Sequence, residues 1–436
     1  MSNRFIKLVY NIFFIPIAFI VLKTLSLFDQ KIRERESNQK VKLRQLSKLS
    51  ENNKRIWFHA SSMGEFEQAK PVIESIKKAN PNIIIIVSFF SPSGYRTQGN
   101  YPYADYMFYL PFDSFFSARK FITSLSPDIA VFIRYELWIN YLSILKKRNI
   151  PSFLICATIP GKKPQIIKGL KKIYYSHAYS LFDYIYTISD HHTRFFNSIG
   201  LKQKTITFHD TRFDRILDKV EQSKSQKILP DELFDKDDFV IVVGSSWEPD
   251  ETILFNTAID IFKENKIKLR MIVCPHEPNE STLSRIKQEL PNSFLLSQVL
   301  DYLNSEQNEN DIPKFLGKNH IIVDSIGKLL RLYANANCAY IGGAFGAGIH
   351  SVTEAAGYGL PLACGTGYYN SPDAINLVGQ NVLKPVSNAD ELKNWILKMH
   401  SDTEYYKEIS SKAKDYVLSG LGSAEKLADY ILQKIQ

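Results

Sequence analysis

The residues best placed to do chemistry lie where apolar runs end. In Ile341-Gly-Gly-Ala-Phe-Gly-Ala-Gly-Ile-His350-Ser-Val-Thr-Glu354 a hydrophobic strand, Asn337 to Ile341, runs into a glycine-rich loop. A helix is expected to follow, beginning near His350 and carrying Glu354 in its first turn. Glycine lets a backbone approach a ligand closely, and the free N–H groups of a helix start attract anions. Glu354 suits ribose hydroxyls, and its spacing from His350 predicts that the two share one helical face. The loop reads as a site for a nucleotide-diphosphate or nucleotide-monophosphate sugar. It is not a P-loop, because no Gly-Lys-Ser/Thr follows, nor a clean G-x-G-x-x-G dinucleotide fingerprint. A second turn, Gly365-Thr-Gly-Tyr-Tyr-Asn370, follows closely, and Asn370 would either hydrogen-bond a ligand or hold that turn.

Two carboxylates stand out in the other half of the chain. Glu65 lies in Ser61-Ser-Met-Gly-Glu65, just before a helical segment that runs to about Lys78. It would serve either as a helix cap or as a general base taking a proton from an attacking hydroxyl. Glu136, in Arg134-Tyr-Glu-Leu-Trp138, is a second site carboxylate or a partner for Arg134. Ser245 and Ser246, in Gly244-Ser-Ser-Trp-Glu-Pro-Asp-Glu251, are phosphate or carboxylate donors or caps. His276 follows Cys274-Pro275 at another strand end.

The elements that position these groups alternate between strand and helix. Arg55–His59, 82–89, Ile129–Ile133, 151–156 and 184–188 read as strands covered on both faces, each followed by helical periodicity. A polar stretch from Asp214 to Asp238 reads as an interdomain linker. The alternation then restarts at 239–244, 268–274, 319–323, 337–341 and 360–364, with a polar loop at 306–314 and helix from Asp402 onward. Such alternation means α/β architecture with parallel, doubly wound sheets, here in two halves facing a cleft. A length of 436 residues is also too long for one ordinary core. Ligands of such folds sit outside the carboxyl ends of the strands, where every residue named above falls.

The amino terminus differs in kind. Leu8 to Phe28 is almost wholly apolar, broken by Asn11, Pro16 and Lys23. It is long enough to meet a bilayer and has no cleavage site behind it. Lys31, Arg33, Arg35, Lys40, Lys42, Arg44 and Lys48 follow, so residues 1–50 hold ten Lys/Arg against three Asp/Glu. They supply +7 of the chain's net +9, which favours anionic headgroups on the cytoplasmic side. The remainder is nearly neutral and argues against nucleic acid as a partner. The four cysteines are scattered in apolar runs, which suits buried thiols and neither zinc nor disulfides.

Taken in chain order, these motifs resemble those of the bacterial 3-deoxy-D-manno-oct-2-ulosonic acid (Kdo) transferases of lipopolysaccharide synthesis. The motif His59-Ala-Ser-Ser-Met-Gly-Glu65 is similar to the family's His-Ala-x-Ser-x-Gly-Glu, and Glu136-Leu-Trp-Ile-Asn140 to its acidic-Leu-Trp-x-Asn. Gly244 to Glu251 resembles Gly-Ser-Thr-His-x-x-Glu-Glu, and Pro275-His276 a Pro/His motif. The glycine loop resembles Gly-Gly-Ser…Gly-Gly-His-Asn-x-x-Glu, with Asn370 at a following Asn. The resemblance implies a GT-B fold: a membrane anchor over residues 1–30, a Rossmann-like acceptor domain over 31–215 and a Rossmann-like donor domain over 216–436. The last helix would pack back on the first domain. It implies a CMP-Kdo donor, a phosphorylated, acylated disaccharide precursor of lipid A (lipid IVA) as acceptor, inversion at the anomeric carbon, and no metal or cofactor. The resemblance also implies roles for single residues. Glu65 would be the general base and Glu136 a second essential carboxylate, with His59, Ser61, Ser62 and Gly64 on the acceptor. Ser245, Ser246, His276, Gly346, Ala347, Gly348, His350, Glu354 and Asn370 would hold the donor. Ile349 and Ser351 depart from the family's Gly and Asn, and the Arg beside the Pro/His motif is missing. Arg212, or a Lys near it, is the candidate replacement. The competing readings are a GT-B enzyme using a UDP-sugar, and an inactive GT-B membrane scaffold, which the intact Glu65 and Glu136 motifs disfavour.

Overall fold

The computed structural model describes residues 3–29, 32–33, 53–98, 101–160, 169–264, 267–304 and 320–435. The expected polar loop at 306–314 and the basic run from Lys31 to Lys48, apart from Arg33, lie outside the described residues. The chain divides into two compact units, Met1–Asp214 with Gly420–Gln436, and Arg215–Ser419.

The first unit is built on a parallel sheet of seven strands. In chain order they are β1 (Arg55–Ala60), β2 (Ile84–Phe89), β3 (Tyr106–Tyr109), β4 (Ile129–Ile133), β5 (Ser152–Ala157), β6 (Tyr184–Thr187) and β7 (Thr205–Thr207). Consecutive strand residues point to opposite faces, and here both faces are covered. Trp57, Phe132 and Leu154 enter one core while Phe58, Val131 and Phe153 enter the other. That is why these strands read as unbroken apolar runs rather than alternating ones. The spatial order is β3-β2-β1-β4-β5-β6-β7. The chain winds outward from β1 in one direction, then crosses back to β4 and winds in the other, so the topological switch falls between β1 and β4.

The second unit is also a seven-stranded parallel sheet, of β8 (Asp238–Ser246), β9 (Lys268–Pro275), β10 (Ser293–Leu295), β11 (His320–Ile322), β12 (Cys338–Ile341), β13 (Leu362–Cys364) and β14 (Leu383–Pro385), but with β11 inserted between β9 and β10. Its order, β10-β11-β9-β8-β12-β13-β14, puts the switch between β8 and β12, where Gly244 pairs with Ile341. Four short strands, β3, β7, β10 and β14, were not legible in the sequence. Each has only three or four residues and lies in the outer part of its sheet.

The stretch expected to be a linker is structured. Arg212–Ser225 is a helix on which Phe213, Ile216 and Val220 are buried. Three apolar residues at helical spacing suffice to dock it, and the surrounding Lys and Asp hide that stripe in the composition. The carboxylate of Asp214 then accepts from the backbone N–H groups of Gly422 (2.7 Å) and Ala424 (2.9 Å) and so seats the start of the last helix, Ser423–Leu432. Leu427, Ala428 and Ile431 of that helix join Val72, Ile73 and Ile76 of the helix Met63–Ala79 in one core of the first unit.

At the amino terminus, Phe5–Phe28 forms a helix long and apolar enough to cross a membrane. It passes through a wide π turn at Tyr10–Phe14, just ahead of Pro16, which lacks the N–H to continue the regular ladder. Asn11 does not interrupt it. Asn11 and Asn140 exchange side-chain hydrogen bonds of 3.1 and 2.9 Å, and the Tyr10 hydroxyl donates to the buried Asp113 at 2.7 Å. One edge of the helix is thereby docked on the first unit, while Phe13, Ile17, Ile20 and Phe28 remain exposed.

Candidate active site

At the β1/β4 switch the sheet delivers His59 from the end of β1 and, just beyond the end of β4, Glu136. Ser62 caps the helix Met63–Ala79, its hydroxyl accepting from the Glu65 N–H. Glu65, in the first turn, curls back to accept the Ser61 N–H at 2.5 Å. Cap and base are therefore not alternatives, because the cap holds the carboxylate in place. The Ser61 hydroxyl meanwhile serves Glu136. Glu136 also accepts from Trp138 Nε1 at 2.6 Å and lies 3.5 Å from His59 Nε2. The other ring nitrogen of His59, Nδ1, is 2.9 Å from the Ser88 hydroxyl, which itself accepts from Trp57 Nε1 at 2.8 Å. When that hydroxyl donates to Nδ1, the ring proton sits on Nε2 and faces Glu136.

Both carboxylates are buried, yet they differ in charge state. Burial and then the neighbouring Glu136 charge push Glu65 up to about 7, against the Ser61 N–H and the positive Arg134. Burial also opposes ionisation of Glu136, but hydrogen bonds and charge from His59, with Ser61 and Trp138, outweigh it and hold Glu136 below the usual carboxylate range. One carboxylate stays ionised while the other exchanges a proton near neutrality, the pattern that assigns acid–base roles to a pair. Gly64, beside them, is not a packing requirement, since an added Cβ there would meet nothing within 4 Å.

The β8/β12 switch is made largely of backbone. Gly342 lies against the end of β8, where a Cβ would come within 2.4 Å of the Ser245 carbonyl oxygen. Gly343 (φ 91°) and Gly348 (φ 96°) both adopt the left-handed conformation, and the Gly348 N–H closes the loop onto the Gly343 carbonyl at 2.8 Å. Asp250 fixes this loop from below, accepting from Gly343 N (2.9 Å), Trp247 N (3.0 Å) and the Tyr340 hydroxyl (3.0 Å). Gly346 and Ala347 stay exposed at the tip. Beside the loop, Trp247 stacks on His276 (4.8 Å) and His276 on His350 (4.5 Å). Trp247 Nε1 donates to His350 Nε2 at 3.3 Å, and burial with the adjacent His276 lowers the His350 pKa.

Several expected donor residues take other positions. His350 and Glu354 do not share a helical face, because the helix spans only Thr353–Gly357 and His350 precedes it. Ile349 and Val352 are buried, and the His350 N–H bonds to the Gly342 carbonyl at 3.2 Å, which draws the segment into the glycine loop instead of a helical turn. A five-residue helix has little dipole with which to attract an anion. Of the two serines, Ser246 is buried and donates to Glu251 at 2.7 Å, a carboxylate that also pairs with Arg285. Ser245, next to last in β8, has φ 54°, a left-handed conformation. Asn370 holds the turn, accepting from Ile349 N at 3.1 Å. Arg212 is in the first unit with its guanidinium on the buried Asp210, at 2.7 Å. Ser88, Trp57, Asp250 and Tyr340 were not singled out as site residues from the sequence; Trp57 to Ser88, Ser88 to His59, and Asp250 to Gly343 and Tyr340 are contacts distant in the chain.

Residues 30–215 match the family model described as 3-deoxy-D-manno-octulosonic-acid transferase (kdotransferase). The chain is 26% identical over 341 residues to the 3-deoxy-D-manno-octulosonic acid transferase of Rickettsia typhi, covering 78% of this chain and 70% of that one. It is 22% identical over 393 residues to that of Haemophilus influenzae, covering 86% of each. Among solved structures it is similar to UDP-GlcNAc 2-epimerase from Neisseria meningitidis, with a TM-score of 0.59 and 13% identity over 87% of this chain and 100% of that one. The chain is thus similar to Kdo transferases over most of its length and has the two-unit GT-B fold.

Proposed function

We propose that this relative of the Kdo transferases moves Kdo from CMP-Kdo to the lipid A precursor lipid IVA, with inversion, using Glu65 as general base. The observation that carries the reading is the buried pair at the β1/β4 switch, in which Glu136 stays ionised while Glu65 titrates near 7. An acceptor hydroxyl gives its proton to the Glu65 carboxylate as its oxygen bonds to the anomeric carbon. The bond from that carbon to the phosphate oxygen breaks, and CMP leaves with the electron pair. A base that titrates near the working pH is ionised often enough to act and basic enough to accept. Ser61 and the helix cap prevent Glu65 from turning away. In the second unit the N–H groups of Gly342, Gly343, Gly346, Gly348, Ile349 and His350 hold the loop's own shape, so the departing phosphate would meet the exposed tip around Ala347, and the Trp247–His276–His350 stack presents aromatic surface beside it.

The docked N-terminal helix would seat the enzyme on the cytoplasmic face of the inner membrane, where an acylated acceptor resides. Its exposed apolar side supports this, as does the basic segment that follows it. The test is mass spectrometry of products from the purified full chain, CMP-Kdo and lipid IVA. The expected result is a mass increment of one or more Kdo residues. A second reading, a UDP-sugar transferase, rests on the same fold. It is separated by calorimetry with CMP and UDP, and tight UDP binding with none to CMP would replace our reading.

A further inference from the structure

Arg134 is not used by the chemistry above. It follows β4 directly and has φ 67°, a left-handed conformation that a bulky residue rarely adopts. Its backbone is pinned on both sides, Arg134 N to the Ile155 carbonyl (2.9 Å) and the Arg134 carbonyl to Thr158 N (3.3 Å). The side chain makes no ion pair among the described residues, although its charge is felt by Glu65. Its Nε is buried without a hydrogen-bond partner, and its guanidinium lies 5.9 Å from the Tyr135 ring centroid. A buried guanidinium N–H left unmatched is rare in folded proteins and calls for a partner. His192 stands nearby, its pKa lowered by burial, then by His191 and by the Arg134 charge. Its Nδ1 accepts from Ile159 N at 3.1 Å, which puts the ring proton on Nε2 as a second donor.

We propose that Arg134 and His192 form an anion subsite that holds a phosphate monoester of the acceptor beside Glu65. This rests on the transferase reading and adds a recognition element to it. A phosphate brought close to the Glu65 and Glu136 carboxylates needs a fixed cation beside them, and Arg134 supplies a planar fork matched to phosphate oxygens. Arg134 is a positioning residue here, so it should govern which acceptor is held and not the proton transfer.

The experiment compares full-length wild type, Arg134→Gln and Arg134→Lys on lipid IVA and on its enzymatically dephosphorylated counterpart. Arg134→Gln is expected to raise KM for the phosphorylated acceptor roughly ten- to a hundred-fold. KM for the dephosphorylated acceptor should not move, and Arg134→Lys should recover part of the loss. The acid limb should shift to higher pH equally on both acceptors, because the Arg134 charge no longer holds the Glu65 pKa down. Equal loss of KM on both acceptors would overturn the subsite. If wild type transfers nothing, the transferase reading fails by itself. Inorganic phosphate binding, measured by calorimetry with CMP present, then decides: loss in Arg134→Gln supports the subsite and unchanged binding refutes it.

Discussion

Each sheet has one switch point beside its first strand, yet the two are made of different material. At β1/β4 the working groups are side chains: Glu65, Glu136 and His59, buried and held by Ser61, Trp138 and Ser88. At β8/β12 the switch is main chain, a glycine loop closed by its own N–H groups, with the Asp250 carboxylate underneath as a strut. The physics of the two tasks explains the difference. Moving a proton at neutral pH requires a carboxylate whose pKa has been raised, and burial beside a second charge is how that is done. Holding a phosphate requires donors that reach it without a side chain in between, which left-handed glycines allow.

If this division holds, the largest effect should come from the base. Glu65→Gln is expected to lower kcat roughly 10²- to 10⁴-fold while leaving CMP affinity unchanged. The same substitution should stabilise the fold at alkaline pH. Glu65 is raised to about 7 from an ordinary 4.5, so across that window the folded state keeps a proton the unfolded chain has lost. Stability therefore falls as pH rises through it, and at pH 8 the native protein carries the full penalty. Glu65→Gln removes the penalty and should gain on the order of 1–3 kcal/mol in denaturant unfolding at pH 8, and nothing at pH 4. A variant that is inactive and also less stable at pH 8 would make Glu65 a structural residue.

Next in size is Gly343→Ala. The left-handed backbone and a Cβ only 2.3 Å from the Gly348 carbonyl oxygen should distort the loop and weaken CMP binding at least about ten-fold. Gly64→Ala, in open space at the other switch, should leave CMP binding as it was. Equal effects would erase the distinction between the sites. His276→Ala, which removes the middle of the aromatic stack, should raise the donor KM several-fold, on the order of 1 kcal/mol, with acceptor KM unmoved. The smallest expected change is in the pH profile of Glu136→Gln. Activity in the parent should fall as pH drops through about 7, because Glu65 gains its proton there. Without the Glu136 charge that limb should move to lower pH by about one pH unit. An unmoved limb would mean the two carboxylates do not interact.

Much of this was readable in the chain because it depends on local pattern. The buried strands announced themselves as β-branched and aromatic runs, and the strand-end motifs followed them. Misreadings came where distant contacts overrule local signals. The stretch after Asp214 looked like a linker by composition, but a stripe of Phe213, Ile216 and Val220 makes it a docked helix. His350 and Glu354 had helical spacing, but burial of Ile349 and Val352 placed His350 in the loop. Arg212 was a free cation on paper, and Asp210 claims it.

By itself the sequence determined the two α/β units, the apolar amino-terminal helix and the short motifs, since each is written in neighbours a few residues apart. Only the tertiary structure decided which strand ends meet at a switch point. It alone decided that Glu65 and Glu136 share a buried neighbourhood with opposite protonation tendencies, and that Arg134 stands beside them with a buried Nε unmatched among the described residues. A pKa and an unmatched hydrogen-bond donor are properties of surroundings, and these surroundings come from β1, β4 and β5, brought together across a hundred residues of chain.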